Sequence, residues 1–277
     1  MDAHVSVTPD CRPAPARAYL QMVPTGFYGD GHRVAATKGT PQGAVISPLL
    51  ANIYLHYVLD LWARRWRQRH ARGDVIIVRY ADDSVVGFRT QWQAQQFLVQ
   101  LQGRLARFGL SLNASKTRLI EFGRFAARKR RKRGLGKPET FDFLGFTHCC
   151  STNRSGGFQI LRLTVKKRMR ATLLAIRDEL KRRRHEPIRV QGQWLTRVVS
   201  GYFNYHAVPG NLIRLGGFRS AVCHLWRQAP KRRSQRNRFQ WSRYGRLADL
   251  YIPRPRNAHP YPEDRFASHT RGRSRMR

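Results

Sequence analysis

VIIVRYADDSVVGFRT (Val75–Thr90) holds an apolar run, two adjacent aspartates and a second apolar run. Runs of β-branched residues on both sides of a polar tip read as a β-hairpin, with Asp82 and Asp83 at its turn. Two like charges at a turn admit two explanations. Aspartate is a common turn residue, so the pair can simply reverse the chain. Two carboxylates held rigidly at a strand end are also hard oxygen ligands, as sites for divalent cations require.

The flanking segments place this hairpin in a layered domain. Upstream, GTPQGAVISPLLANIYLHYVLDLWARRW (39–66) predicts a helix. Its expected N-cap is Ser47, with Pro48 in the first turn and Leu50, Tyr54, Tyr57 and Leu61 as the apolar seam. The helix turns basic towards its C-terminal end, which suits its dipole, and Gly73 ends it. Downstream, a second helix is expected over about 91–108, carrying Phe97, Leu98, Leu101, Leu105 and Phe108, with Gly109 just past its end. GLSLNASKTRLIEF (109–122) reads as strand, turn and strand, 124–139 as a mobile basic loop, and TFDFLGFT (140–147) as an aromatic strand. Helices and hairpin-linked strands in this order indicate an α+β fold with an antiparallel sheet. From Thr164 onward the periodicity is helical. Val165, Met169, Leu173, Ile176 and Leu180 recur at helical spacing, and further amphipathic segments follow at GQWLTRVVSGYFNYHA, NLIRLGGFRSAVCHLWRQA and about 234–250.

Composition narrows the function classes. Lys and Arg number 53 against 16 Asp and Glu, a formal net charge of +37, while hydrophobic residues still make up 41%. Such a chain folds, and its natural partner is a polyanion, nucleic acid before acidic membrane. The first twenty residues carry no long apolar run, so a secretory signal is not expected, nor is a membrane span. The four cysteines, at 11, 149, 150 and 223, form no Cys-x-x-Cys pair, which argues against a zinc site or a disulfide framework.

Four motifs occur in order: TPQGAVISPLLANIYLH (40–56), RYADD (79–83), GLSLNASKT (109–117) and FDFLGF (141–146). Together they closely resemble the palm of bacterial group II intron reverse transcriptase/maturases. The helical region with GYFNYH (201–206) is similar to their thumb or maturase segment, and PRPRNAHPYPEDRF (253–266) to a common C-terminal ending. The resemblance implies a partial palm over 37–150 after a divergent 1–36, a helical thumb/maturase domain over 160–252 and a basic tail over 253–277. It implies RNA-directed DNA synthesis with Mg²⁺ (Mn²⁺ as a substitute) held by Asp82 and Asp83. Tyr80 and Ala81 would lie near the primer terminus. Gly39, Pro41, Gln42 and Gly43 would meet the templating base and incoming nucleotide, and Lys116 the phosphates. Partners would be group II intron RNA, an RNA/DNA primer-template and deoxynucleoside triphosphates, in the bacterial cytoplasm. Arg128, Lys129, Arg130, Arg131, Arg182, Arg183, Lys231 and Arg232 stand in arginine-rich runs suited to RNA phosphates.

The sequence departs from the family pattern at its start. The family's earlier palm strand carries another catalytic aspartate, whereas residues 1–36 offer Asp2, Asp10 and Asp30, none at the end of an obvious apolar strand. This predicts an N-terminally truncated enzyme, with Asp30 the first substitute carboxylate and little polymerase activity from the chain alone. The alternative is an RNA-binding maturase remnant without catalysis. No Cys/His-rich endonuclease module follows, so DNA cleavage is not expected.

Overall fold

The computed structural model describes the backbone of residues 3–7, 9–10, 26–29, 32–35, 46–231 and 241–261, with side chains over 46–229 and 244–261. The chain divides into two compact units, Met1–Phe141 and Asp142–Arg277.

The first unit is built on a four-stranded sheet of order β5-β6-β1-β8, from β1 (Ala3–Val7), β5 (Ile76–Tyr80), β6 (Asp83–Phe88) and β8 (Arg118–Glu121). Every pairing in it is antiparallel. Two smaller ladders join β2 (Pro9–Asp10) to β7 (Ser111–Leu112), and β3 (Gly26–Gly29) to β4 (His32–Ala35). β6 lies inside the sheet, paired on both sides, and its apolar run is buried throughout, with Val86 and Phe88 packed into the helical core; β5, at the sheet edge, alternates between exposed and half-buried.

The helical layer begins with α1 (Ser47–Leu55), which continues through a π-helical segment (His56–Asp60) into α2 (Leu61–His70). Leu55, Val58, Leu59, Ala63 and Trp66 from this rod share a core with Val86 and Phe88 of β6 and with Ala94, Phe97, Leu101 and Leu105 of α3 (Gln91–Ala106). Aromatic edges close it: Trp66 meets Phe97 at 4.9 Å and Phe88 at 5.9 Å between ring centroids. At the start of α3 the Thr90 hydroxyl accepts the Gln93 amide hydrogen. Its end is a Schellman turn, in which Gly109, at φ 66°, donates to Ala106 and Leu110 donates to Leu105.

The structure corrects three expectations in this unit. Ser47 is the first helical residue rather than the cap, and Ile46 occupies the cap position. Tyr57 leaves the seam and is 58% exposed, while Leu55, Val58 and Leu59 turn inward. The segment 124–139 is no loop: Ala126–Lys132 form α4. Its many like charges are tolerated because Arg133 pairs with Glu121, Arg130 pairs with Glu139, and Ala126 is fully buried.

The second unit opens with a hairpin ladder and continues as helices. The aromatic stretch expected as one strand is two, β9 (Phe141–Phe143) and β10 (Phe146–Thr152), with Leu144 and Gly145 between them at positive φ. β10 pairs along its length with β11 (Phe158–Thr164), a strand that sequence patterning did not reveal. Four helices follow: α5 (Lys166–Arg182), α6 (Ile188–His206), α7 (Leu212–Lys231) and α8 (Trp241–Tyr251). Their core joins Ile176 and Leu180, the α6 series Leu195, Val199 and Phe203, the α7 series Leu215, Phe218, Val222 and Trp226, and Tyr244 and Ala248 of α8. Two buried amides tie its connections. The Asn211 Nδ2 donates to Thr164 Oγ1 and to the His206 carbonyl, and its Oδ1 accepts the Thr164 amide. Gln191 donates to the Arg183 and Glu186 carbonyls and accepts from Trp226 Nε1 at 3.0 Å.

Candidate active site

Tyr80 and Asp83 pair across the end of the β5–β6 ladder, leaving Ala81 and Asp82 as a two-residue turn. Ala81 has φ 52°, the left-handed region that this turn class usually fills with glycine or asparagine. Asp83 begins the doubly hydrogen-bonded β6, and Ser84, Val85 and Val86 behind it are buried, so its backbone is fixed by the sheet. Tyr80 is 65% exposed and Asp82 also faces solvent.

The strand register brings other segments to the same end of the sheet. β1 runs antiparallel to β6 with Val7 opposite Ser84, so its C-terminal end lies at the level of the Asp82–Asp83 turn, and β2 follows with Asp10. Ser6 lies opposite both Val85 and Arg118, which brings the start of β8 to that end as well. Lys116 stands two residues before Arg118, exposed, in a turn where Asn113 Oδ1 accepts from the Ser115 amide and hydroxyl. With β1 between β8 and β6, this places the Lys116 turn about 10 Å from the aspartate turn, two strand spacings away. β1, which the sequence did not mark as a strand, thus lies between β6 and β8 in the sheet. The backbone of β2 follows, with Asp10 three residues after the end of β1. Asp30 lies outside the described residues, as do Gly39, Pro41, Gln42, Gly43 and Arg232.

In a chain this basic, the state of the two carboxylates is informative. Among the described acidic residues, Asp60, Glu121, Glu139, Asp178, Glu179, Glu186 and Asp249 carry ion pairs with arginine, lysine or both, while exposed Asp74 and Asp142 do not. Asp82 and Asp83 make no ion pair or side-chain hydrogen bond with the described residues. Two adjacent unpaired carboxylates repel each other and favour an added cation. Their hard oxygens are of the kind divalent cations take, but among the described residues no third His, Cys, Asp or Glu joins them in a cluster.

One cation does approach the turn, from behind. Arg79 donates from Nη1 to the Ala81 carbonyl at 2.7 Å and to Asn52 Oδ1 at 3.0 Å. Its Nε and Nη2 form a fork on Asp60, at 2.7 and 2.6 Å. Asp60 closes the π-helical segment, and Asn52 is itself anchored by donating to the Pro48 carbonyl at 3.0 Å. Sequence reading passed over these three residues. An arginine in a strand and an aspartate in a helix carry no local signal of their pairing.

The basic residues separate by role. On α4, Arg128, Lys129 and Arg131 are exposed, Arg128 lying 5.3 Å from the Phe125 ring, whereas Arg130 is held by Glu139 and the Gly136 carbonyl. Arg183 is bound by Glu179 and Glu186 and lies 5.2 Å over the Trp194 ring, and Arg182 pairs with Glu179. Lys231 ends α7; its side chain lies outside the described residues. Tyr202 packs internally, stacked on Phe218 at 3.8 Å and on His206 at 4.1 Å, and burial pushes its phenol up to about 12.

Comparison with known proteins bears on this arrangement. Residues 5–148 match the family described as reverse transcriptase (RNA-dependent DNA polymerase). No curated protein sequence matches the chain. Among solved structures, a telomerase from Candida albicans, in complex with the TWJ fragment of telomeric RNA, is similar at a TM-score of 0.40 and 14% identity. That similarity covers 79% of this chain and 29% of the telomerase chain, so this chain spans less than a third of the longer protein. Among the described residues, no helix is long and apolar enough to cross a membrane.

Proposed function

The chain belongs to the reverse transcriptase family, and from that premise we propose that it is an RNA-directed DNA polymerase of the group II intron maturase type. In this reading it acts on an RNA/DNA primer-template and deoxynucleoside triphosphates and binds intron RNA. The carrying observation is the unpaired Asp82–Asp83 turn at the end of a doubly paired strand, with the β1 end and the Lys116 turn brought to the same side of the sheet. Asp82 and Asp83 would hold Mg²⁺, with Mn²⁺ as a substitute. When bound, the divalent ion lowers the pKa of the primer 3′-hydroxyl and neutralises charge on the triphosphate leaving group. Lys116 adds a point charge for phosphate, and exposed Tyr80 offers a ring beside the primer end. Arg128, Lys129 and Arg131 on α4 meet phosphates of the bound RNA. A net charge of +37 supports strong, salt-sensitive RNA binding.

The test is primer extension on an RNA template by the full chain in Mg²⁺ and Mn²⁺, beside RNA binding across a salt series. Extension should fall by a hundredfold or more in Asp82→Asn and Asp83→Asn, since each tenfold step is about 1.4 kcal/mol of lost transition-state stabilisation and a metal ligand is worth several steps. RNA affinity should hold in both variants. Extension unaffected by both hairpin substitutions would refute the polymerase reading. RNA binding without any extension by the parent chain would favour a maturase remnant that only binds RNA.

A further inference from the structure

Ala81 and Leu144 are the two non-glycine residues at positive φ among those described, and each stands first in a two-residue hairpin turn. A left-handed conformation costs an alanine about 1 kcal/mol, so a turn built on one needs an outside restraint to stay in place. For Ala81 that restraint is visible. Its carbonyl accepts from Arg79 Nη1, and the guanidinium is immobilised by the fork on Asp60 and by Asn52. The Arg79 side chain is 15% exposed; its fork on Asp60 is partly buried, while its bonds to Asn52 and to the Ala81 carbonyl face solvent. A planar guanidinium reaches all three acceptors at once, whereas the compact ammonium of lysine does not present that fork.

We propose that Arg79 is a positioning residue for the aspartate turn: anchored on Asp60 and Asn52 of the helical rod, it grips the Ala81 carbonyl and fixes the backbone from which Asp82 and Asp83 project. Its consequence for catalysis rests on the polymerase reading above. The mechanical coupling between Arg79 and the turn does not.

The bland alternative is an Arg79–Asp60 ion pair that stabilises the fold and is indifferent to the turn. The two separate in a double-mutant cycle on the full chain, using Arg79→Lys, Ala81→Gly and the two combined. Glycine adopts the positive φ without strain, so it replaces what Arg79 supplies at the turn but nothing of the ion pair. Unfolding midpoints in urea should therefore be non-additive, with Arg79→Lys less damaging in the Ala81→Gly background. Mn²⁺ binding, followed as loss of the free-ion electron paramagnetic resonance signal, should weaken about tenfold in Arg79→Lys. The added Ala81→Gly substitution should recover at least half of that loss on a logarithmic scale. In primer extension Arg79→Lys should lower kcat with little change in the nucleotide KM. Should Arg79→Lys fail to fold, Asn52→Ala, a change at an exposed side chain, loosens the same guanidinium more mildly and enters the same cycle. Additive midpoints would overturn the proposal. If the parent chain shows no Mn²⁺ binding that Asp82→Asn removes, the polymerase reading fails, and the unfolding cycle still decides the role of Arg79.

Discussion

Helix α6 carries two glycines for which the structure sets opposite expectations. Gly192 is buried against α8, and a Cβ added there would lie 2.5, 2.7 and 2.8 Å from Cγ, Cδ2 and Cδ1 of Tyr251. Gly201, nine residues on in the same helix, has nothing within 4 Å of the same added atom. Relative to glycine, alanine in a helix interior gains about 1 kcal/mol from backbone entropy at either site. At Gly192 this gain opposes a clash with a rigid ring. Thr196 Oγ1 holds the Tyr251 backbone by donating to its carbonyl at 2.6 Å, and Trp226, packed edge-on against the ring at 5.9 Å, leaves it little room to rotate away. Overpacking of a filled core costs about 1–3 kcal/mol, and separations below 3.0 Å put this site at the upper end. The expected net effects are a loss of about 2 kcal/mol for Gly192→Ala and a gain of up to about 1 kcal/mol for Gly201→Ala. Urea unfolding of the two variants beside the parent chain measures both. Combining Gly192→Ala with Tyr251→Ala should restore part of the loss, because contacting residues couple. The reasoning fails if Gly192→Ala proves as stabilising as Gly201→Ala, since α6 and α8 would then not pack at the distance described.

Other outcomes follow from the second unit. Tyr205 Oη donates to the Leu144 carbonyl at 2.8 Å, so Tyr205→Phe should cost about 1 kcal/mol in urea unfolding, while Leu144→Gly, relieving φ 49°, should be neutral or stabilising. Asn211→Leu should cost about 2–4 kcal/mol, because it strands the buried Thr164 amide and the His206 carbonyl. Burial holds the His206 imidazole below its usual pKa, so the unfolded chain takes up this proton first as the solution is acidified. Stability should be flat above about pH 6.5 and fall between there and the lowered native value, and His206→Gln should flatten that slope in melting curves taken from pH 7.5 to 5.5.

The sequence by itself determined the class and the tip of the site. Alternating and unbroken apolar runs around Asp82 and Asp83 specify a hairpin, because strand burial has a period of two and turn chemistry is local. Helical periodicity from Thr164 onward likewise specified the helices of the second unit. Gly109 bounded α3 for reasons that act within a few residues. What only the tertiary structure decided is long-range. β1 (AHVSV) alternates apolar and polar residues over only five positions, a signal too short to fix a strand by itself, and it is paired because β6 and β8 offer it two edges. The register of those pairings brings the end of β1 and the Lys116 turn to the end of the sheet that carries the aspartates. The segment 124–139 reads as a charged loop until Glu121 and Glu139 are in place to hold α4 against repulsion among its own arginines. Arg79 meets Asp60 across 19 residues and Asn52 across 27. Pairings of that span leave no periodic trace, since they depend on how the helical rod lies against the sheet.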